Sequence, residues 1–221
     1  SDKKAVILIT SNRGLAGGYN SNAVKLLTKD ERFTTENTVV YAVGTKGRDS
    51  VEREGYTIAG DYSEAINEPL YADASEIGKE VLSKFTMGEI GEIYLIYTIF
   101  KNTMVQIPTM MKLLPINASD ITADAEDVEE NPIDRITLMN YEPAPEEALN
   151  AIIPKYVNSL IFGGLVESHA SENGARMQAM DSATSNAEEM ISDLSLKYNR
   201  ARQASITQEL TEIIAGASAI S

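Results

Sequence analysis

Two hydrophobic patterns divide this chain. As far as about Leu114, short apolar runs alternate with stretches of helical spacing, and beyond Pro145 a single helical period takes over. Residues 5–9 (AVILI) are apolar at every position. That is what a strand buried on both faces requires, because successive side chains point to opposite sides of a sheet. Residues 38–43 (TVVYAV) repeat the pattern and end at Gly44. Between them, residues 20–29 place Ala23, Val24, Leu26 and Leu27 on one helical side. Residues 45–54 read as a short helix and 56–59 as a short strand. Residues 72–85 form a helix with Ala74, Ile77, Val81, Leu82 and Phe85 along its apolar face. Two longer strands follow at 90–100 and 103–114, joined by a tight turn at Lys101 and Asn102. One more strand is expected at 136–141. The order βαβαβαββ implies an α/β fold, a mostly parallel, doubly wound sheet with flanking helices and an antiparallel edge.

After Pro145, which suits a first helical turn, the sequence is helical throughout. No proline follows Pro154. A continuous helix over 155–221 extends roughly 100 Å at about 1.5 Å per residue. Met180, Thr184, Ala187, Ile191, Leu194, Tyr198 and Ala201 step by 4, 3, 4, 3, 4 and 3 residues. The mean is about 3.5, the period of a left-handed coiled coil. So long a helix cannot be covered by a sheet domain of ordinary size, and its seam of small and medium residues is expected to face another helix. Pro154 removes a hydrogen bond and crowds the preceding turn, which predicts a kink or break, and Gly163 with Gly164 is a second weak point.

Charge and composition narrow the functions open to such a chain. With 33 acidic and 19 basic side chains among 221 residues, the formal charge is -14. That argues against nucleic acid and anionic membrane surfaces, both of which demand clustered Lys and Arg. Seven of the acidic residues, and no basic one, lie in residues 120–134. With Asn131-Pro132 this segment reads as a solvated loop, and it lacks the glycine and ligand spacing of a calcium loop. A hydrophobic content of 43% with 24% charged residues fits a packed globular chain. Cysteine is absent, which removes disulfides, thiol nucleophiles and Cys-ligated zinc. His169 is the single histidine, so most imidazole-based metal and triad schemes fail, and the residue reads as packed or solvated. No apolar run reaches the roughly 20 residues needed to span a bilayer. Ser1-Asp2-Lys3-Lys4 leads straight into the first strand without a signal-peptide pattern, and this abrupt start suggests an upstream segment.

The one loop that invites a chemical reading joins the first strand to the first helix. In doubly wound sheets this position often cradles phosphates on backbone amides. Its glycines, Gly14, Gly17 and Gly18, read G-x-x-G-G, with no Gly-Lys-Ser/Thr following. A tight turn passing under a packed neighbour explains them better, and nucleotide binding by residues 14–18 stands as the alternative. No pair of carboxylates or Ser-His-Asp order suggests an active site.

The same loop carries a resemblance. Ile9-Thr10-Ser11-Asn12-Arg13-Gly14-Leu15-Ala16-Gly17-Gly18-Tyr19-Asn20 is similar to the I-T-S-D-R-G-L-C/A-G-G-F/Y-N signature of the γ subunits of rotary F-type ATP synthases. Ala175-Arg176-Met177-Gln178-Ala179-Met180 resembles the A-R-M-x-A-M of that family, and Ala183-Thr184-Ser185-Asn186-Ala187 its A-T-x-N-A. The stretch from Tyr198-Asn199-Arg200-Ala201-Arg202-Gln203 to Ile213 matches its Y-N-x-A-R-Q-A-x-I-T-x-E-L-x-E-I ending. The likeness runs over nearly the whole chain.

What the resemblance implies is a rotor shaft without chemistry or cofactor of its own. Residues 1–143 would be an α/β foot, and 144–221 the long C-terminal helix of a coiled-coil shaft. The implied partners are the α and β subunits of the catalytic ring, the ε subunit, and the c ring of a proton-translocating membrane sector. The location implied is peripheral, on the cytoplasmic face of the bacterial membrane. Arg202, Gln203 and Thr207 hold the family's positions for the β-subunit catch loop, and Gln203 and Thr207 are i, i+4 neighbours on one helix face. Tyr141 and Glu142 stand where the family approaches the c ring. Two departures accompany the likeness. The family's long N-terminal helix has no counterpart before Ser1, so the present chain is expected to self-associate or fray along its unpaired seam. Asn12 replaces the family's usual Asp.

Overall fold

The computed structural model describes residues 1–116 and 145–220. The acidic segment 120–134, the expected strand at 136–141, and Tyr141 and Glu142 lie outside them. In chain order come β1 (Lys4–Ile9), α1 (Tyr19–Thr28), β2 (Thr38–Val43), α2 (Thr45–Arg53) and β3 (Thr57–Asp61). A 3-10 turn at Ser63–Ile66 precedes α3 (Tyr71–Thr86), β4 (Glu92–Asn102), β5 (Val105–Leu114) and α4 (Pro145–Ile220). The five strands lie in the order β3-β2-β1-β4-β5. All neighbours are parallel except the antiparallel pair β4 and β5. The sheet, its flanking helices and the long C-terminal helix are those expected from the sequence.

β1 shows why its run is apolar throughout. Ala5, Ile7 and Ile9 enter one core with Ile77 and Val81 of α3, while Val6 and Leu8 enter the other with Ala23, Val24 and Leu27 of α1. All five strand residues are buried. The first core also takes Val157, Ile161 and Leu165 from α4. The chain divides into two compact units, Ser1–Gln178 and Ala179–Ser221. The first turns of the long helix therefore belong to the sheet's own unit.

Local expectations are corrected at four places. The hairpin turns at Thr103 and Met104 rather than at Lys101 and Asn102. Asn102 ends β4, and its Oδ1 accepts the N–H groups of Met104 (2.9 Å) and Val105 (2.8 Å), which sets the turn two residues later. The short strand begins at Thr57, because Tyr56 is drawn into the core and donates its hydroxyl to the Phe33 carbonyl at 3.0 Å. Helix α4 continues through Pro154, so of the expected kink or break the chain does not take the break. Pro154 is exposed, and losing one helical bond costs about 3 kcal/mol. Burying Val157, Ile161 and Leu165 at about 1.5–3 kcal/mol each outweighs that cost. Gly164 is no break either. A Cβ there would stand 3.1 Å from Leu95 Cδ2 and 3.3 Å from Ile9 Cδ1, so the missing side chain is what lets the helix settle onto the sheet.

Candidate functional site

A doubly wound sheet offers its ligand crevice beyond the carboxyl ends of the strands where the chain reverses direction. Here that place lies between β1 and β4, and protein fills it. Ala16 and Tyr19, at the loop and the start of α1, pack on Ala175 of α4. The Tyr19 hydroxyl donates to the Ser168 carbonyl at 3.0 Å. Within the loop, Ser11 N–H donates to Asn20 Oδ1 (2.9 Å), and Ser11 Oγ donates to the Arg13 carbonyl (2.6 Å). The loop is thus a turn tucked under a neighbouring helix, with Ser11 bonded inside the loop and to Asn20 at the start of α1.

Burial, the largest influence on Tyr19, pushes its phenol well above the ordinary range, with a smaller opposing effect from the bond to Ser168. A folded-state pKa raised above the unfolded one gives stability that is complete below the unfolded value and lost above it. The unit should therefore lose urea resistance as pH rises past about 10. Tyr19→Phe should lessen that loss when urea midpoints are compared from pH 8 to pH 11, the remainder coming from Tyr41, Tyr56, Tyr62, Tyr94 and Tyr97, whose phenols burial also raises.

Asn12 uses both halves of its amide. Its Oδ1 accepts the Thr45 N–H at 3.0 Å, and its Nδ2 donates to the Ser63 carbonyl (2.7 Å) and to Asn67 Oδ1 (3.1 Å). A carboxylate could keep the first bond but has nothing to donate to the other two oxygens. Asn12→Asp should cost about 1–3 kcal/mol at neutral pH, read as a lower unfolding midpoint. Recovery toward pH 4 as the carboxyl gains a proton would mark the missing donor as the cause.

His169 Nδ1 lies 2.9 Å from the Ile66 carbonyl, so the imidazole fastens α4 to the 3-10 turn. Among the described residues, no group of three or more His, Asp or Glu side chains is placed to hold a metal ion.

The candidate contact residues Arg202, Gln203 and Thr207 are exposed on α4 within the unit Ala179–Ser221. Their side chains make no hydrogen bond or ion pair among the described residues. The stripe in the same unit is open as well, with Leu194 at 62% and Tyr198 at 68% exposure. Tyr141 and Glu142 lie outside the described residues. Sequence reasoning overlooked Glu167, Ser168 and Ser171, whose side chains bond the backbone of β4. A signal was present. Ser168 and Ser171 continue the inward helical face of Val157, Ile161 and Leu165, where polar residues are out of place unless bonded.

An α/β unit whose crevice is packed with its own side chains, with a long helix running on into an exposed apolar stripe, defines a class of α/β proteins with a helical extension. The family model described as ATP synthase matches residues 1–220. The gamma chain of ATP synthase from Lachnoclostridium phytofermentans is 66% identical over 220 residues, covering 100% of this chain and 75% of its own. The sodium ion specific gamma chain from Acetobacterium woodii is 45% identical, covering 99% and 75%. This chain belongs to the ATP synthase gamma chain family. In fold it is similar to a chain of the mitochondrial ATP synthase of Euglena gracilis (OSCP/F1/c-ring), with a TM-score of 0.70 at 20% identity over 100% of this chain and 73% of that one. It is also similar to a chain of the central stalk/c-ring structure from Tetrahymena thermophila, with a TM-score of 0.59 at 24% identity over 83% and 77%.

Proposed function

We propose that this chain is a non-catalytic central-stalk subunit that couples rotation of a membrane c ring to conformational change in the catalytic β subunits. Residues 1–143 act as the foot and 144–221 as the shaft helix, whose first turns are seated in the foot's core. Arg202, Gln203 and Thr207 meet the β catch loop, and Tyr141 and Glu142 meet the c ring. The α and ε subunits complete the set of partners. The coupling ion is the proton, with sodium as the second reading because one relative is named sodium ion specific. The complex places the chain peripherally on the cytoplasmic face of a bacterial membrane, and no helix among the described residues is long and apolar enough to cross one.

The observation that carries this reading is the exposed apolar stripe of the unit Ala179–Ser221, in a chain of the gamma family. The competing nucleotide-binding reading is disfavoured because Ala16, Tyr19 and Ala175 close the crevice that a nucleotide would enter. Co-expression with α and β subunits tests it. A stable complex that elutes with one copy of this chain per ring supports the stalk. Failure to co-purify, together with micromolar binding of ATP to the isolated chain, would favour the alternative.

A further inference from the structure

Strand β4 outruns its parallel neighbour. β1 pairs with it from Lys4↔Glu92 to Leu8↔Ile96, whereas β4 continues to Asn102. On the other side β5 keeps pace, and Thr98 stands opposite Pro108, which has no N–H to give. The peptide groups of Thr98 and Phe100 face the side that β1 has left, a sheet edge needing partners. Side chains of α4 take the place of the missing strand. Ser168 Oγ accepts the Thr98 N–H at 3.1 Å, and Ser171 Oγ donates to the Thr98 carbonyl at 3.0 Å. Glu167 Oε2 accepts the Phe100 N–H at 2.7 Å. Thr98, Ser168 and Ser171 are buried, and Glu167 is half-buried.

These bonds do something that apolar packing does not. Apolar side chains tolerate small rolls and slides of a helix over a sheet, but directional bonds from one helical turn to two consecutive inward-facing peptide groups tolerate neither. Advancing α4 by a single residue turns it by about 100° and carries both serines away from the strand edge. The three residues therefore set the helix's height on the sheet and its angle about its own axis together. The same helix continues to Ile220.

We propose that Glu167, Ser168 and Ser171 are positioning residues that lock α4 to the free edge of β4, and that torque passes from sheet to helix through this lock. The proposal rests on the stalk reading above.

The test uses the complete subunit assembled in an ATP synthase reconstituted into vesicles, reading ATP hydrolysis and ATP-driven ion uptake together. In the pair Ser168→Ala with Ser171→Ala, exchange of the Thr98 amide should quicken about tenfold. Hydrolysis should persist while ions moved per ATP fall. Ser171→Thr keeps a hydroxyl and Glu167→Gln keeps an acceptor oxygen, so both should pump like wild type. Should the double variant fail to assemble, Glu167→Ala removes one half-buried rung and should show the same split through Phe100. Faster exchange with unchanged ions per ATP would overturn the lock. So would hydrolysis and pumping falling in parallel as the complex dissociates, the mark of mere packing. If wild-type subunit itself supports no pumping, the stalk reading fails and takes the lock with it.

Discussion

Ile161→Ala combined with Leu165→Ala should leave the sheet unit unfolded or nearly so at room temperature. Both side chains are at 0% exposure in the core shared with β1, β4 and α3. Each truncation of this kind costs about 2–5 kcal/mol, in transfer energy and in the cavity left behind. A domain has only about 5–15 kcal/mol to lose. The two positions are one helical turn apart, so their costs will not add strictly, but even the lower sum takes much of the margin. Urea titration followed by circular dichroism reads the effect. Ile191→Ala with Leu194→Ala, at exposed positions of the other unit, should leave that midpoint within about 0.5 kcal/mol of wild type. If the core pair behaved like the exposed pair, α4 would be an accessory to the sheet rather than part of its core.

Replacing Arg202, Gln203 and Thr207 together by alanine should have the second-largest effect, on assembly instead of folding. Their side chains are exposed, so removing them opens no cavity, and the melting temperature of the isolated chain should hold. Each bond to a charged partner is worth about 1.5–3 kcal/mol, so losing even two weakens attachment to the catalytic ring by a hundredfold or more. Affinity of the complete subunit for an α and β ring, with thermal melting as the control, separates the two quantities. Unchanged affinity would make these three positions plain helix surface.

Much of this was readable because the sheet is buried on both faces. Residues 5–9, apolar throughout, and 38–43, apolar but for Thr38, read as central strands, and both are. Where the sequence misled, a single side chain outweighed the pattern. Asn102 moved the hairpin turn by accepting two backbone N–H groups. The core residues beyond Pro154 hold in one continuous helix a segment that its proline could otherwise have broken. The Gly-rich loop was legible as a turn, since its spacing lacks the phosphate-binding pattern, but its cover was not. That Tyr19 reaches Ser168 across 149 positions of sequence depends on the fold as a whole. The proposed role of Arg202, Gln203 and Thr207 rests on family likeness alone, because nothing in their chemistry separates them from any solvated helix.

The central claim is rotation, and one measurement addresses it directly. The 221 residues contain no cysteine, so Met87→Cys, at a position 70% exposed just after α3, gives one thiol within them for attaching a probe. With the catalytic ring of the assembled complex fixed to a surface, ATP should drive the probe round in one direction and in discrete steps. A ring that hydrolyses ATP at its full rate while the firmly attached probe stays still would contradict the account.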